Sequence, residues 1–237
     1  LDTPVYQINN PIRALYCDEE QTLWIGTKGG GIVRINNYSS DKEPLTSFNR
    51  ISAANSTLTD NAVYCFAPGA TGKLWIGTEN GINYYSYQSK QLKEFPVVAD
   101  NKKVKYVHSI NELNDTTLWV STVGEGIVKV ILNNTGSSPV VKSATRIVLD
   151  KGRMASNYFF TSFQESDSIL WFGNRGYGAY RLNVETGEMT PYKFDDVVKS
   201  QTANDIFAIY KNEKGYWLGT SSGLLHLNQN YSHRHDR

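Results

Sequence analysis

The chain lacks an excess of charge of either sign. Its 24 Lys and Arg residues and 23 Asp and Glu residues leave a formal net charge of +1 at pH 7. The two signs are interspersed, so the sequence carries neither a basic stripe for nucleic acid nor a patch for an anionic membrane. We therefore expect no nucleic-acid partner and no attraction to membrane surfaces.

Long hydrophobic runs are also missing. No stretch approaches the roughly 20 apolar residues that a membrane-spanning helix needs, and no signal peptide is visible. The sequence begins at Leu1 instead of methionine, as expected of a processed or excised segment. We predict that this chain does not insert into a membrane.

Cysteine is scarce, and the only two cysteines are Cys17 and Cys65. Cys65 fills a position that recurs in the repeat described below, and Cys17 lies three positions beyond the equivalent residue of the first repeat. On adjacent strands this offset is roughly 10 Å, which exceeds the roughly 7 Å limit for the Cα separation in a disulfide. We predict two free thiols.

What the chain does have is a repeat centred on tryptophan. The string LWIGT occurs at 23–27 and 74–78, and variants of it occur at 118–122, 170–174 and 216–220. All five tryptophans occupy the same place in the repeat, with spacings of 51, 44, 52 and 46 residues: Trp24, Trp75, Trp119, Trp171 and Trp217. A period in the forties together with β-type composition predicts the blades of a propeller.

Each repeat predicts four strands, A to D. The tryptophan lies on strand B, and a glycine-bearing turn joins it to strand C, because glycine reaches the positive φ angles of hairpin turns. Strand A comes first and has a small residue at its third place, where innermost strands converge on the axis: Ala14, Cys65, Ser109, Ser162 and Ala208. Weaker runs predict the outer strand D at 44–49, 91–97, 140–149 and 188–194.

The sequence therefore predicts an all-β fold, a β-propeller of four-stranded antiparallel blades with five repeats, as a single domain over residues 1–237. Blade cores are expected near 12–49, 63–97, 107–149, 160–194 and 206–228. Two forms of closure remain open. In one, residues 4–9 supply the fourth strand of the last blade and close a five-bladed ring. In the other, residues 231–237 are that strand and the chain is part of a larger propeller.

Several conspicuous residues have a structural interpretation. Aromatic rings suit sugars, but the constant place of tryptophan in every repeat favours packing between successive sheets. The glycine turns at 29–31 and 124–126 resemble fragments of phosphate-binding loops, but a strand follows them instead of a helix. No HxH or HExxH pattern surrounds His108, and a flexible polar tail explains His233 and His235. We expect no cofactor and no metal.

The unit resembles the two-component regulator propeller repeat. The resemblance rests on LWIGTKGGGIVRIN at 23–36, LWIGTENGINYYSY at 74–87 and the lead-in LTDNAVYCF at 58–66. It implies the periplasmic sensor region of hybrid two-component regulators of gut Bacteroidetes, which detect glycan fragments. Those receptors usually carry more than five blades, a linking β-domain, a membrane span and a kinase, so this chain would be the recognising piece.

Candidate ligand-binding residues vary between repeats on one rim. In propellers the loops from strand D to A and from B to C open on the same face around the channel, where pockets form. Aromatic, amide and charged side chains there can stack on and hydrogen-bond a polar ligand. The predicted site comprises Lys28, Glu79, Asn80, Tyr106, His108, Arg153, Asn157, Tyr158, Arg175, Tyr177, Asn204 and Asp205.

Three functions are compatible with this pattern. The resemblance and the lack of a catalytic constellation favour a ligand-sensing module of a two-component system, which binds an oligosaccharide or other small polar ligand at the channel mouth. A glycoside hydrolase or lyase would instead use carboxylates such as Glu79, Glu125 and Asp205. A protein-interaction or dimerisation scaffold would use the propeller faces as docking surfaces. Further propeller blades, a kinase-linked domain or a second copy of the chain are also expected partners. We favour the first, without enzymatic activity, and the resemblance implies a periplasmic location.

Overall fold

The computed structural model describes residues 10–36, 48–69, 72–133, 138–149, 157–194 and 204–228, with the backbone alone at 48–50. The strands of blades one and two are β1 (Ile12–Cys17), β2 (Leu23–Thr27), β3 (Ile32–Ile35), β4 (Phe48–Ile51), β5 (Val63–Gly69), β6 (Lys73–Thr78), β7 (Gly81–Ser86) and β8 (Gln91–Phe95). A short hairpin follows, formed by β9 (Val98–Ala99) and β10 (Lys102–Lys103).

The strands of blades three and four are β11 (Val107–Asn114), β12 (Thr117–Thr122), β13 (Ile127–Asn133), β14 (Val140–Ile147), β15 (Phe159–Gln164), β16 (Ile169–Asn174), β17 (Ala179–Asn183) and β18 (Met189–Tyr192). Blade five has three described strands, β19 (Ile206–Asn212), β20 (Gly215–Thr220) and β21 (Gly223–Leu227).

Each blade is an antiparallel sheet whose strands are ordered as in the chain. The first strands pack side by side in the order β1, β5, β11, β15 and β19, so they surround a common channel. The all-β propeller is therefore confirmed. The predicted outer strands at 91–97, 140–149 and 188–194 correspond to β8, β14 and β18. Residues 4–9 and 231–237, on which the two forms of closure depend, lie outside the described residues.

Every strand A carries a β-bulge directly after its first residue. In blade two, Val63 pairs with Thr78 and Cys65 pairs with Gly77, so Tyr64 is the extra residue. The same shift in register occurs in the other blades. A bulge leaves one residue unpaired and re-aims its side chain. Each blade thus presents one such side chain to the channel.

The bulge corrects one detail of the sequence prediction. In blade four Thr161, not Ser162, pairs with the strand B glycine Gly173 and takes the small-residue place. The prediction was wrong by one residue because two consecutive phenylalanines open this strand, and an apolar pattern cannot show which of them is bulged. Ser162 instead bonds Ser109 of blade three, with 2.8 Å between the hydroxyl oxygens.

The tryptophans pack between successive blades, as predicted. Trp24 lies 4.9 Å from the ring of Tyr85 in blade two, and Trp171 lies 5.4 Å from the ring of Tyr216 in blade five. Four of the five are buried, namely Trp24, Trp75, Trp119 and Trp171. Trp217, in blade five, is only half-buried.

Acidic side chains satisfy three of the buried indoles, a feature that the sequence did not reveal. The Nε1–H of Trp24 donates to Asp18 at 2.8 Å, and that of Trp171 donates to Glu165 at 2.6 Å. Trp75 donates to Glu112 of the next blade. These carboxylates hold the buried tryptophans by hydrogen bonds, in addition to the apolar packing between blades.

The threonine that ends LWIGT closes the turn between strands B and C. Thr122 Oγ1 donates to the carbonyl of Gly126 at 2.6 Å, and Thr27 Oγ1 donates to that of Gly31 at 2.9 Å. The motif therefore encodes the inter-blade tryptophan and the start of the turn within five residues. The predicted free thiols are confirmed, since neither Cys17 nor Cys65 is bridged. Across the described ranges, no helix has the length and apolar character needed to cross a membrane.

Candidate functional site

The B to C turns and the segments that lead into strand A lie on one face of the propeller. In blade two the N–H of Glu79 donates to the carbonyl of Ala62 at 3.0 Å. In blade four the N–H of Arg175 donates to the carbonyl of Tyr158 at 3.0 Å. These bonds bring the two groups of predicted loop residues together at one mouth of the channel.

The bulged side chains line the channel below this mouth. A cavity of about 360 Å³ is bordered by all five of them, Arg13, Tyr64, His108, Phe160 and Phe207, together with small residues of strand A. Its volume lies within the roughly 300–1,000 Å³ that is usual for small-molecule sites.

Four of these side chains form a continuous series of rings, which we call the channel arc (Tyr64, His108, Phe160 and Phe207). Tyr64 and His108 stack with centroids 4.2 Å apart and planes inclined by 17°. His108 and Phe160 are 5.8 Å apart, and Phe160 and Phe207 are 4.8 Å apart. Phe207 ends the arc and leaves nearly half of its surface exposed, so it offers a free aromatic face.

Arg13 completes the circuit on the blade-one side. Within the described part of the chain no carboxylate forms an ion pair with it. Burial, and next the positive charge of Arg13, lowers the pKa of His108 from 6.5 to about 4. His108 is therefore neutral at pH 7, and Arg13 supplies the positive charge of the cavity wall.

Tyr64 connects the channel arc to the mouth. Its hydroxyl donates to Glu79 Oε2 at 3.1 Å. Burial, and next the charge of Glu79, raises the pKa of Tyr64 above its ordinary value. Tyr64 thus stays protonated, and its hydroxyl connects the channel arc to the exposed side chain of Glu79.

Several predicted residues do form an exposed rim. Tyr106 and Tyr158 are exposed aromatic side chains, and the guanidinium of Arg175 lies 5.6 Å from the centroid of Tyr158. Lys28 is exposed in the turn of blade one. Asn80 is half-buried, and its N–H donates to Thr78 Oγ1 at 3.3 Å.

Asn157 and Asn204 are engaged between blades instead. Each side-chain oxygen accepts an N–H from the end of the preceding blade's strand D, from Leu149 and from Phe194 respectively, at 2.8 Å. Asn204 is 2% exposed. The geometry thus gives both amides a structural task, because their oxygens hold neighbouring blades together.

The remaining predicted residues are dispersed. Tyr177 packs half-buried against the apolar cluster between blades three and four. Asp205 accepts a hydrogen bond from Ser221 at 3.1 Å. Glu125 is paired with Arg146 at 2.8 Å. Arg153 lies outside the described residues.

Sequence reasoning missed Arg13, Tyr64, Phe160 and Phe207 as channel residues. The available signal was their position, because each follows the first residue of strand A as His108 does. The bulge that re-aims them leaves no mark on the hydrophobic pattern. No group of three or more His, Cys, Asp or Glu side chains among the described residues is arranged to hold a metal ion.

A second cavity, of about 330 Å³, lies at the opposite ends of the strands in blades one and two. Its wall includes Tyr16, Asp18 and Tyr87. The Asp18 carboxylate is already held by the N–H of Thr22 at 2.8 Å and the hydroxyl of Tyr87 at 3.1 Å. Asp18 therefore serves the packing of blades one and two.

The sequence matches the family described as two component regulator propeller at residues 6–29 and 57–80. Over 126 residues it is 27% identical to the histidine kinase P4 of Formosa agariphila, a match that covers 53% of this chain and 9% of that protein. The chain thus spans a small part of that kinase.

The fold is similar to solved extracellular domains from B. thetaiotaomicron. That of the hybrid two component system BT4673 superposes with a TM-score of 0.77 at 19% identity, over 95% of this chain and 30% of that one. That of the hybrid two component system BT3049 has a TM-score of 0.65 at 20% identity, again over 95% and 30%. The repeats of blades one and two thus match the two-component regulator propeller family, and the chain as a whole has the β-propeller fold of these extracellular domains.

Proposed function

We propose that this chain is the ligand-sensing propeller module of a two-component signalling system and that it binds a carbohydrate fragment in the channel mouth. The observation that carries the proposal is the channel arc, a run of contacting rings around a cavity of about 360 Å³. Aromatic faces pack against the apolar face of a sugar ring, while rim hydroxyls and charges bond its hydroxyl groups.

Phe207 and Arg13 have the clearest separate tasks. Phe207 offers the exposed ring face, so it is the platform on which a sugar ring would stack. Arg13 is a cation beside neutral His108, so it would bind an acidic substituent such as a uronate carboxylate by a charge-assisted hydrogen bond. Glu79, Tyr106, Tyr158 and Arg175 would contact the parts of the ligand that extend onto the rim.

A thermal-shift screen tests the proposal. The purified chain is mixed with neutral oligosaccharides and with uronate-containing oligosaccharides of matched length. A ligand at one hundred times its Kd stabilises the folded state by about 2.7 kcal/mol, which raises the melting temperature measurably. We expect at least one glycan to do so. If no glycan in either group shifts the melt, carbohydrate recognition by this chain is refuted.

Two variants locate the site. Phe207→Ala should abolish the shift with every glycan, whereas Arg13→Gln should weaken only the binding of uronate-containing glycans. Tyr87→Phe, in the cavity at the opposite ends of the strands, is the matched control and should leave binding unchanged. A shift that survives Phe207→Ala but is lost in Tyr87→Phe would assign the ligand to the other cavity.

The same samples test the two alternative functions. Release of new reducing ends from the oligosaccharides, abolished in Glu79→Gln, would establish a glycan-cleaving enzyme. A concentration-dependent dimer in sedimentation, without any glycan shift, would favour a scaffold. Signalling itself requires that the ligand favour one arrangement of the module and its kinase-linked neighbours. By analogy with the extracellular domains that share its fold, we assign the module to the periplasm.

A further inference from the structure

The backbone of Tyr106 is unusual for an aromatic residue. Its φ is +52°, in the left-handed region that bulky side chains rarely occupy, because the Cβ crowds the following carbonyl oxygen. The other described non-glycine residues with positive φ lie in turns between strands, namely Gln21, Lys90, Asp100 and Asn101. Tyr106 instead directly precedes β11. None of the residues in that place in the other blades has a positive φ: Pro11, Ala62, Tyr158 and Asp205.

Two backbone hydrogen bonds hold Tyr106 in this conformation. Its N–H donates to the carbonyl of Glu79 in blade two at 2.8 Å, and its carbonyl accepts the N–H of Val123 in blade three at 3.0 Å. In three other blades the bond to the preceding blade is made one residue earlier, by an asparagine carbonyl that accepts the N–H of a turn glycine: Asn61, Asn157 and Asn204. Blade three has Lys105 in that place. Its junction therefore runs through Tyr106, and the fold imposes the left-handed conformation.

The side chain of Tyr106 does not stabilise the fold by a specific interaction. It is 41% exposed, and among the described residues it has no side-chain hydrogen bond, ion pair or ring contact. Tyr158 is similarly exposed, but the guanidinium of Arg175 lies near its ring. Glycine or asparagine would adopt the backbone of Tyr106 with less strain. The tyrosine therefore lowers stability at this place, which points to a role for its ring outside the fold.

Tyr106 stands at the mouth of the channel, beside the start of the channel arc. It lies two residues before His108. Its backbone partner Glu79 accepts the hydroxyl of Tyr64, the first ring of the arc, at 3.1 Å. Phe207, the ring with the exposed face, ends the arc on blade five. One exposed ring is thereby placed beside each end of the channel arc.

We propose that Tyr106 is a specificity-determining residue, a second stacking platform that contacts one sugar ring while Phe207 contacts another. The site then takes an oligosaccharide in preference to a single sugar, because only a longer ligand reaches both rings. The imposed backbone fixes the point from which the ring projects before the ligand arrives, which lowers the entropy that binding costs. This inference rests on the carbohydrate site proposed above and deepens it.

Tyr106→Asn tests the strain. Asparagine tolerates the left-handed region, so the melting temperature should rise by about 2–4 °C. Tyr106→Phe keeps both the ring and the strain and should melt with the native chain. Tyr158→Asn is the matched control, since Tyr158 occupies the same place in blade four without a positive φ, and it should not melt higher. An unchanged or lower melting temperature in Tyr106→Asn would overturn the inference.

Binding is measured on the same variants by isothermal titration calorimetry, with neutral and uronate-containing hexasaccharides as the probes. Tyr106→Asn should weaken the Kd by about tenfold although it folds more stably, while Tyr106→Phe should stay within about twofold of the native chain. A purely structural role would move stability and affinity in the same direction. If Tyr106→Asn keeps the native Kd while Phe207→Ala abolishes binding, this inference fails and the proposed function stands. If the native chain binds neither probe, both fail.

Ligand length supplies a second readout. The native chain should bind a hexasaccharide about tenfold or more tightly than the monosaccharide units of the same glycan, and Tyr106→Asn should lose most of that preference. Equal affinity of the native chain for the monosaccharide and the hexasaccharide would show that a single stacked ring is enough, and the proposal would fail.

Discussion

At the scale of single residues, buried polar groups anchor the tryptophans that pack between the blades. A buried indole N–H needs an acceptor, and a buried carboxylate needs donors, so each stabilises the other. Asp18 is 6% exposed and accepts from Trp24, Tyr87 and the Thr22 backbone. It ties blade one to blade two, because Tyr87 comes from the second blade.

Asp18→Asn tests this anchor. The amide would direct an NH₂ group or a weaker acceptor at two donors, the indole of Trp24 and the hydroxyl of Tyr87. We expect a loss of about 2 kcal/mol in the free energy of unfolding, measured by urea denaturation. Glu19→Gln, on the same turn but exposed, is the control and should change stability little. Equal effects would mean that the anchor contributes nothing.

His108 should make stability depend on pH. Its folded pKa of about 4 lies below the ordinary 6.5, so the unfolded chain binds more protons between these values. The contribution of neutral His108 to the free energy of unfolding is therefore fully present above pH 6.5. It is lost as the pH falls toward 4, and amounts to at most about 3 kcal/mol. Comparing the melting temperatures of the native chain and His108→Phe from pH 7 to 4 measures it. A variant with the same pH profile as the native chain would contradict the assignment.

At the scale of elements, the hairpin of strands B and C is set by backbone conformation. Gly178 has a φ of +80°, and a Cβ on it would lie 2.0 Å from the carbonyl oxygen of Tyr192 on strand D. Glycine at this position lets strand D approach the turn. The N–H of Gly178 also donates to the carbonyl of Asn204, which leads into the next blade. One residue thereby fixes both the hairpin and the distance to its neighbour.

Gly178→Ala and Gly176→Ala form a matched pair. Gly176 has a similar φ of +78°, but no atom lies within 4 Å of its added Cβ. Gly176→Ala should cost roughly 1–2 kcal/mol from the left-handed conformation alone. Gly178→Ala should cost about 1–3 kcal/mol more, from the overlap. Chemical denaturation of both variants measures the difference, and equal losses would show that the close approach of strand D is not a constraint.

At the scale of the whole molecule, each blade is stabilised by the neighbours that cover its two faces. Blades two, three and four are covered on both sides, while blades one and five each keep one face exposed. The burial of the tryptophans follows this order. Trp119 is 3% exposed, whereas Trp217 stacks on His226 of its own sheet with centroids 4.3 Å apart and remains half-buried.

Replacing these two tryptophans should have unequal effects. Trp119→Ala removes a side chain buried between two blades and should cost about 3–5 kcal/mol. Trp217→Ala removes a half-buried side chain that packs on its own blade, against His226. The loss in the free energy of unfolding should therefore be roughly half as large. Urea unfolding of both variants checks the order. Unchanged stability in Trp119→Ala would refute its packing between blades. A larger loss for Trp217→Ala would contradict the greater exposure of blade five.

The fold could be read from the sequence because its determinants recur. Each copy of the LWIGT motif places an inter-blade tryptophan and a small residue within five residues, and in four of the five blades the motif ends in a threonine that closes the turn. The propeller, its strand order and the mouth of its channel therefore followed from local pattern. The exposed positions of Tyr106, Tyr158 and Arg175 could also be predicted, because aligning the repeats on each other shows which loop residues vary.

Only the tertiary structure decided which side chains face the channel and which blade faces are covered. A bulge shifts strand A by one residue, so Phe160 enters the channel and Thr161 takes the small place, and no hydrophobic pattern records that shift. The amides of Asn157 and Asn204 look like ligand contacts in sequence but bond the preceding blade in space. Burial depends on the neighbouring sheet and not on the residue's own repeat. For this reason Ile12 and Val63 occupy the same place in the repeat but differ in exposure.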